Sequence, residues 1–227
     1  MVKSQTSSVF VQAEGVSRVF RQGNEWITAL ADTTCSIHAR DRIAISGPSG
    51  SGKSTLLHLL AGLDVPTSGN LSWPGLQDKR HLRPAYLCIA LQAPDLLPAL
   101  TVAENVALPL LLMQTASQEA RVAAHDILDK LDLADLANQL PEELSGGQAQ
   151  RVILARSLVA HPRLILADEP TGQLDHPTAR HLFDRLFAIL ENSDAALVIA
   201  THDHSVAERM STQWNIERGI LTKATQA

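Results

Sequence analysis

The sequence predicts an α/β fold built on a parallel sheet, on three observations. RIAIS, at Arg42–Ser46, is a compact apolar run ending in a glycine-rich turn, and a leucine-rich segment follows it at once. RLILADEP (residues 163–170) and AALVIATHD (195–203) have buried-strand composition and flank the helical pattern TARHLFDRLFAIL. Between these two regions, residues from about 93 to 158 lose strand character and take up helical periodicity. Strands that alternate with helices are the pattern of a sheet covered on both faces.

Residues 9–45 read as short strands. SSVFVQAEGVSRVF alternates loosely, RQGNEWIT carries turn chemistry at Gly23 and Asn24, and LADTTCSIHA resumes β-branched character. After RIAIS, Leu56, Leu57, Leu59, Leu60 and Leu63 supply the apolar face of a helix, so strand, loop and helix follow one another as in a βαβ unit. In the middle of the chain Ala120, Ala124, Ile127, Leu128 and Leu131 fall along one helix face, with Ser117 as its expected cap. STQWNIERGILTK reads as two loose final strands with Arg218 and Gly219 in their turn, and the polar tail TKATQA is expected to fray. The whole reads as one domain: residues 9–92 and 159–222 form a β subdomain and core, and residues 93–158 an inserted helical subdomain.

Composition narrows the function classes. With 227 residues, 45% hydrophobic and 19% charged, the chain is globular rather than disordered. Nineteen Lys and Arg against 24 Asp and Glu, a net charge of −5 and no long basic run give no reason to expect a nucleic-acid partner. Cys35 and Cys88 form neither a CxxC nor a Cys/His pattern, which supports neither a disulfide framework nor a structural zinc site and suits a reducing cytoplasm. The longest apolar stretch, residues 106–113, is broken by Pro109 and falls far short of the roughly 20 residues a membrane-crossing helix needs. MVKSQTSSVFVQAEG lacks the apolar centre of a secretory signal, so no export signal is expected. A membrane role must come through a partner.

GPSGSGKS, residues 47–54, matches G-x-x-x-x-G-K-[ST] and lies between the predicted strand and the predicted helix, where a phosphate loop belongs. Gly47, Gly50 and Gly52 permit positive φ and close approach, so the N–H groups of the loop, with Pro48, Ser49 and Ser51 at its variable positions, converge on phosphate oxygens at a helix N-terminus. Lys53 adds a cation for the β and γ phosphates, Ser54 a hydroxyl for Mg²⁺, and Thr55 a further phosphate contact. By itself this loop leaves GTPases, kinases and several ATPase classes open. Asp168 follows the apolar run 164–167, and its carboxylate emerges at a strand C-terminus, where it can hold Mg²⁺ through water. Glu169 comes next, as the chain turns, and is the candidate base for a water in line with the γ phosphate; an acidic pair capping the turn before Pro170 is the competing reading.

LSGGQ, residues 144–148, opens the helical run AQRVILARSL. Ser145 can cap that helix, and Gly146 and Gly147 leave its N-terminal N–H groups uncovered, a second anion site. With this segment the chain resembles the ATP-binding cassette of an ABC transporter. The phosphate loop, Gln92 in ALQAPDLLP, LSGGQ, LILADEP, TGQLD (171–175) and His202 in ATHD occur in that family's order from about Val9 to Leu221.

The resemblance implies a P-loop core of RecA type with an N-terminal antiparallel β subdomain and an inserted helical subdomain. It implies that residues 145–148 complete the site of another cassette, so that two ATP are enclosed in a head-to-tail dimer. Gln92 then touches Mg²⁺ and the attacking water, His202 contacts the γ phosphate and holds the transition-state geometry with Glu169, and Asp175 faces the dimer partner. Phe20 aligns with the aromatic residue that stacks on adenine, against the competing reading of a buried strand aromatic. The other histidines, His58 and His161 among them, are read as structural or surface residues.

LLPALTVAENVALPLLL is similar to cassettes of lipoprotein-release, macrolide-export and cell-division systems, which implies a separate permease docked near residues 96–113 and a place on the cytoplasmic face of a bacterial inner membrane. Three departures from the family pattern stand out. Arg40 replaces the usual glycine before the central strand, WPGLQDKRHLRPAYLCIALQ is several residues short, and the final strands are loose. A soluble cassette in repair or translation, a non-hydrolysing regulatory module and a GTPase are the rival readings. Tandem cassettes and coiled-coil insertions are missing, Lys53, Asp168, Glu169 and His202 are intact, and no NKxD motif is present, which weighs against each in turn.

Overall fold

A computed structural model describes residues 8–76, 82–92 and 95–225. An antiparallel sheet holds β1 (Val9–Gln22), β2 (Glu25–His38) and β4 (Ser68–Ser72) in the order β2-β1-β4. A second sheet has the order β5-β6-β7-β3-β8-β9, from β3 (Arg42–Ser46), β5 (Leu87–Ala90), β6 (Leu164–Asp168), β7 (Ala196–Ala200), β8 (Thr212–Glu217) and β9 (Ile220–Thr225). Its strands run parallel except β9, which pairs antiparallel with β8.

The apolar runs of β6 and β7 are continuous because both faces of this sheet are buried. Leu164, Leu166, Ala196 and Val198 point into a core shared with the antiparallel sheet and α1 (Lys53–Leu60). Ile165, Ala167, Leu197 and Ile199 point the other way, into a core shared with α2 (Val102–Leu112), α3 (Ser117–Lys130), α4 (Gly146–Leu158) and α5 (His176–Leu190). Alternate residues of one strand thus serve two cores, as the period of two requires.

Residues 9–38 are not short strands but two of 14 residues each, joined at Gly23 and Asn24. Register shifts, one of them between Ala13 and Val16 around Gly15 at φ 58°, break the inside-outside alternation and made a long strand read as fragments. Three smaller expectations are also corrected. Leu63 lies beyond α1 and is exposed, since that helix ends at Leu60. Ser117 is the first residue of α3, whose cap position is Ala116 with no side-chain bond. The tail does not fray over residues 222–225, which β8 holds in β9 despite their polarity; residues 226–227 lie outside the described set, as do residues 1–7 of the expected leaderless start and 77–81 of the short stretch before Gln92.

Four leucines of α1, Leu56, Leu57, Leu59 and Leu60, are fully buried, each contributing about 2 kcal/mol at most from burial. They clamp the glycine-rich turn onto the core. Thr101 caps α2 reciprocally: its Oγ1 accepts from the Glu104 N–H at 3.3 Å, while its own N–H donates to Glu104 Oε2 at 2.8 Å and holds that carboxyl below its ordinary range. Beyond α3, the Asp132 carboxylate accepts from His181 Nε2 at 2.7 Å and Arg185 Nε at 2.8 Å, tying the helical segment to α5. Arg40 takes a left-handed conformation that glycine adopts more readily, φ 67°, and Asp194 holds it there through its carbonyl and carboxylate oxygens at 3.1 and 2.7 Å. Both cysteines are buried thiols, with Cys35 pushed up to about 11 and Cys88 to about 12 by burial. No described helix is long and apolar enough to cross a membrane.

Candidate functional site

Four neighbouring strands of the parallel sheet, β5, β6, β7 and β3, release their C-terminal ends at one edge, the place where such sheets bind ligands. Gln92 follows β5, Asp168 ends β6 with Glu169 directly after it, His202 follows β7, and the turn 47–52 follows β3 into α1. All of them line one cavity of about 460 Å³. Gly47, Pro48, Ser49, Gly50, Gly52, Lys53, Ser54 and Thr55 form its glycine-rich wall. Ala29 of β2 closes it, a residue that no sequence pattern marks.

The glycines of this turn are required sterically. Gly47, Gly50 and Gly52 have φ of 141°, 72° and 112°, which L side chains rarely adopt. A Cβ on Gly47 would collide with the Ile216 carbonyl oxygen, and one on Gly52 with that of Ala29. Lys53 is 8% exposed, and its Nζ donates to the Gly47 and Pro48 carbonyls at 2.9 and 3.1 Å, so the cation lies along the loop. Ser51 is buried inside the turn with a hydroxyl that has no hydrogen-bond partner among the described residues. A loop of open N–H groups, one buried ammonium and no covering side chain fits a chain of phosphates.

Across the cavity Asp168 is 5% exposed, and no described side chain pairs with its carboxylate. Glu169 leaves the strand at φ 49°, a left-handed conformation that costs about 1–3 kcal/mol in a non-glycine residue. Its backbone fixes that turn by donating to the Ala200 carbonyl at 2.9 Å and accepting from the Gly172 N–H at 3.1 Å. Glu169 Oε2 lies 2.8 Å from His202 Nδ1 and 3.4 Å from the His202 N–H, so the imidazole orients the carboxylate. With Ser54 and Gln92 nearby, Asp168 supplies the hard oxygen donors that suit Mg²⁺.

The LSGGQ segment does not join this cavity. Ser145 caps α4 reciprocally, its Oγ accepting from the Gln148 N–H at 3.2 Å and its N–H donating to Gln148 Oε1 at 2.8 Å. Ser145, Gly146, Gly147 and Gln148 line a separate cavity of about 390 Å³ together with Asp175, which caps α5 through the Thr178 N–H at 2.8 Å. The Thr178 hydroxyl, and after it that backbone N–H, hold the Asp175 carboxyl below its ordinary range. Phe20 lines neither cavity. It is 39% exposed, so it is not a buried strand aromatic, and the Arg18 guanidinium sits 4.5 Å from its ring centroid, held by Asp64 at 2.8 Å. Its strand partner Ile27 is two residues from Ala29, which puts the ring on the segment that borders the phosphate loop.

The profile of the ABC transporter family matches residues 30–172. The lipoprotein-releasing system ATP-binding protein LolD of Legionella pneumophila (strain Lens) is 40% identical over 222 residues, covering 95% of this chain and 98% of that protein. LolD of Bordetella pertussis (strain Tohama I) is 42% identical over 218 residues, 93% of this chain and 94% of its own. Among solved structures, a dimeric post-hydrolysis state of the ATP-binding cassette MJ0796 bound to ADP and Pi superposes with a TM-score of 0.87 at 33% identity, over 95% of this chain and 98% of that one. A second dimeric structure of MJ0796, described as a bacterial ABC transporter cassette, gives the same values.

Proposed function

The chain belongs to the ABC transporter family as an ATP-binding ATPase subunit, and from that premise we propose that it hydrolyses ATP in a head-to-tail pair of cassettes and drives a separate membrane permease of the lipoprotein-releasing kind. The observation that carries the pairing is the division of the chemistry between two cavities with no residue in common. One holds the phosphate loop with Asp168 and Glu169; the other holds the Ser145-capped N-terminus of α4, whose positive dipole end suits an anion. A second copy brings its residues 145–148 to the first cavity, and Asp175 faces that copy. The dimeric state of the solved relatives supports this assembly.

In the proposed reaction the loop N–H groups and Lys53 hold the β and γ phosphates, and Phe20 stacks on adenine over the backing Arg18. Mg²⁺, held by Ser54, Gln92 and Asp168, would neutralise charge on the phosphate oxygens. Glu169 orients a water and takes its proton as the water oxygen bonds to the γ phosphorus and the bond to the β-phosphate oxygen breaks. His202 keeps the carboxylate on that water and contacts the γ phosphate. Because the nucleotide bridges both chains, intact triphosphate favours the closed pair and its cleavage releases it. Gln92, exposed at the end of β5, passes that change toward the helical subdomain.

Exposed apolar residues at the end of α2 support a permease contact there. Val102, Val106, Ala107 and Pro109 of the 96–113 stretch pack the interior, whereas Leu111, Leu112 and Met113 are exposed, Leu112 at 69%. Exposed leucines at the C-terminal end of α2, which runs unbroken through the buried Pro109, suit a permease helix lying on the cytoplasmic face of the inner membrane. Leu112→Glu is expected to abolish co-sedimentation of the chain with membranes carrying its permease, with ATP hydrolysis by the purified protein within about twofold of the parent, a surface change of small stability cost. Membrane association at the parental level would remove the docking assignment.

A further inference from the structure

Gln150 lies at the start of α4, only 5% exposed, on the helix opened by the Ser145 turn. Its buried neighbours on that helix include Ala149, Val152, Ile153 and Leu154, so a glutamine here is costly unless its amide is used. It is used at both ends. Nε2 donates to the Glu169 carbonyl at 3.3 Å, and Oε1 accepts from the Gln173 N–H at 2.9 Å. A carbonyl on one side and an N–H on the other fix which end of the amide faces which.

The same two segments meet again at the glycines. A Cβ on Gly146 would collide with the Gln173 side chain, and one on Gly147 would come within 2.7 Å of Leu174 Cδ2. The LSGGQ turn is therefore packed directly on residues 173–174, and Gln150 carries the contact on to the backbone of Glu169, where the left-handed turn aims the carboxylate. A tight glycine contact and a doubly bonded buried amide leave little room for one segment to shift without the other.

We propose that Gln150 is a positioning residue: seating of residues 145–148 on a neighbouring chain's nucleotide sets, through Gln150, the turn that aims Glu169 in the same chain's own site. The proposal rests on the paired-cassette reading and adds to it a link between the two nucleotides of one pair. Occupation of one site readies the other for hydrolysis.

The test is steady-state phosphate release against ATP concentration for Gln150→Leu, which keeps the volume and removes both bonds. We expect kcat to fall about 10- to 100-fold, the order for a misaimed catalytic group, with KM within twofold and the Hill coefficient reduced to 1. A merely structural role would lower the active fraction and leave the Hill coefficient where it was. If Gln150→Leu does not fold by circular dichroism, Gln150→Glu decides by the same criterion, since it keeps the shape and the acceptor for Gln173 but loses the donor to Glu169. A kcat within twofold of the parent, or an unchanged Hill coefficient, overturns the assignment. Glu169→Gln protein with Mg-ATP serves as the control for the pairing: if it dimerises while Gln150→Leu turns over normally, only the Gln150 link fails, and if it stays monomeric, the paired reading itself has fallen.

Discussion

Glu169→Gln is expected to lower ATP turnover by about 10²–10⁴-fold, the range a positioned general base supplies, while ATP affinity stays close to the parental value. The substitution keeps the size of the side chain and its place beside His202 Nδ1, 2.8 Å from the carboxylate oxygen, but removes the proton acceptor. The left-handed backbone at φ 49° is held by Ala200, Gly172 and Gln150 rather than by the carboxylate, so the turn itself survives. Single-turnover phosphate release and equilibrium nucleotide binding measure the two quantities separately. Turnover within 10-fold of the parent would remove Glu169 from the role of base.

Lys53→Ala should act on binding first. The ammonium is nearly buried and bonds only the Gly47 and Pro48 carbonyls of its own loop among the described residues, so no described carboxylate competes with arriving phosphates for it. Hydrogen bonds to a charged group are worth about 1.5–3 kcal/mol each, which predicts nucleotide affinity weakened about 100-fold, and a lowered melting temperature because two loop carbonyls lose their donor. Lys53→Arg is not expected to restore binding, since a planar fork cannot replace a point charge inside a glycine turn. Titration with a fluorescent ATP analogue checks both variants; parental affinity for Lys53→Ala would contradict the placement of the phosphates.

How much of this arrangement is legible in the amino-acid sequence depends on whether each feature is local. The buried strand RIAIS, the glycine turn and the four clamping leucines are consecutive, and hydrophobic pattern with turn chemistry suffices to place them. Gln92, Asp168, Glu169 and His202 each follow an apolar run, and their convergence on one cavity comes from the parallel order of β5, β6, β7 and β3, which no single run encodes. The long β1–β2 hairpin is obscured by its bulges, and the polar residues of β9 form a strand only because β8 pairs with them. Gln150 carries a local sign that is easy to pass over, a polar side chain within the buried stretch Ala149 to Leu154 of α4. Ala29 carries none, because it meets the phosphate loop with its backbone.

The central claim, that each site is completed by a second copy of the chain, is tested most directly by sedimentation of the Glu169→Gln protein with and without Mg-ATP. The account predicts a monomer without nucleotide, a dimer with it, and no dimer when Ser145→Arg is added to fill the N-terminal turn of α4. A Glu169→Gln protein that remains monomeric at saturating Mg-ATP, or a Ser145→Arg double variant that dimerises as well as its parent, would contradict it.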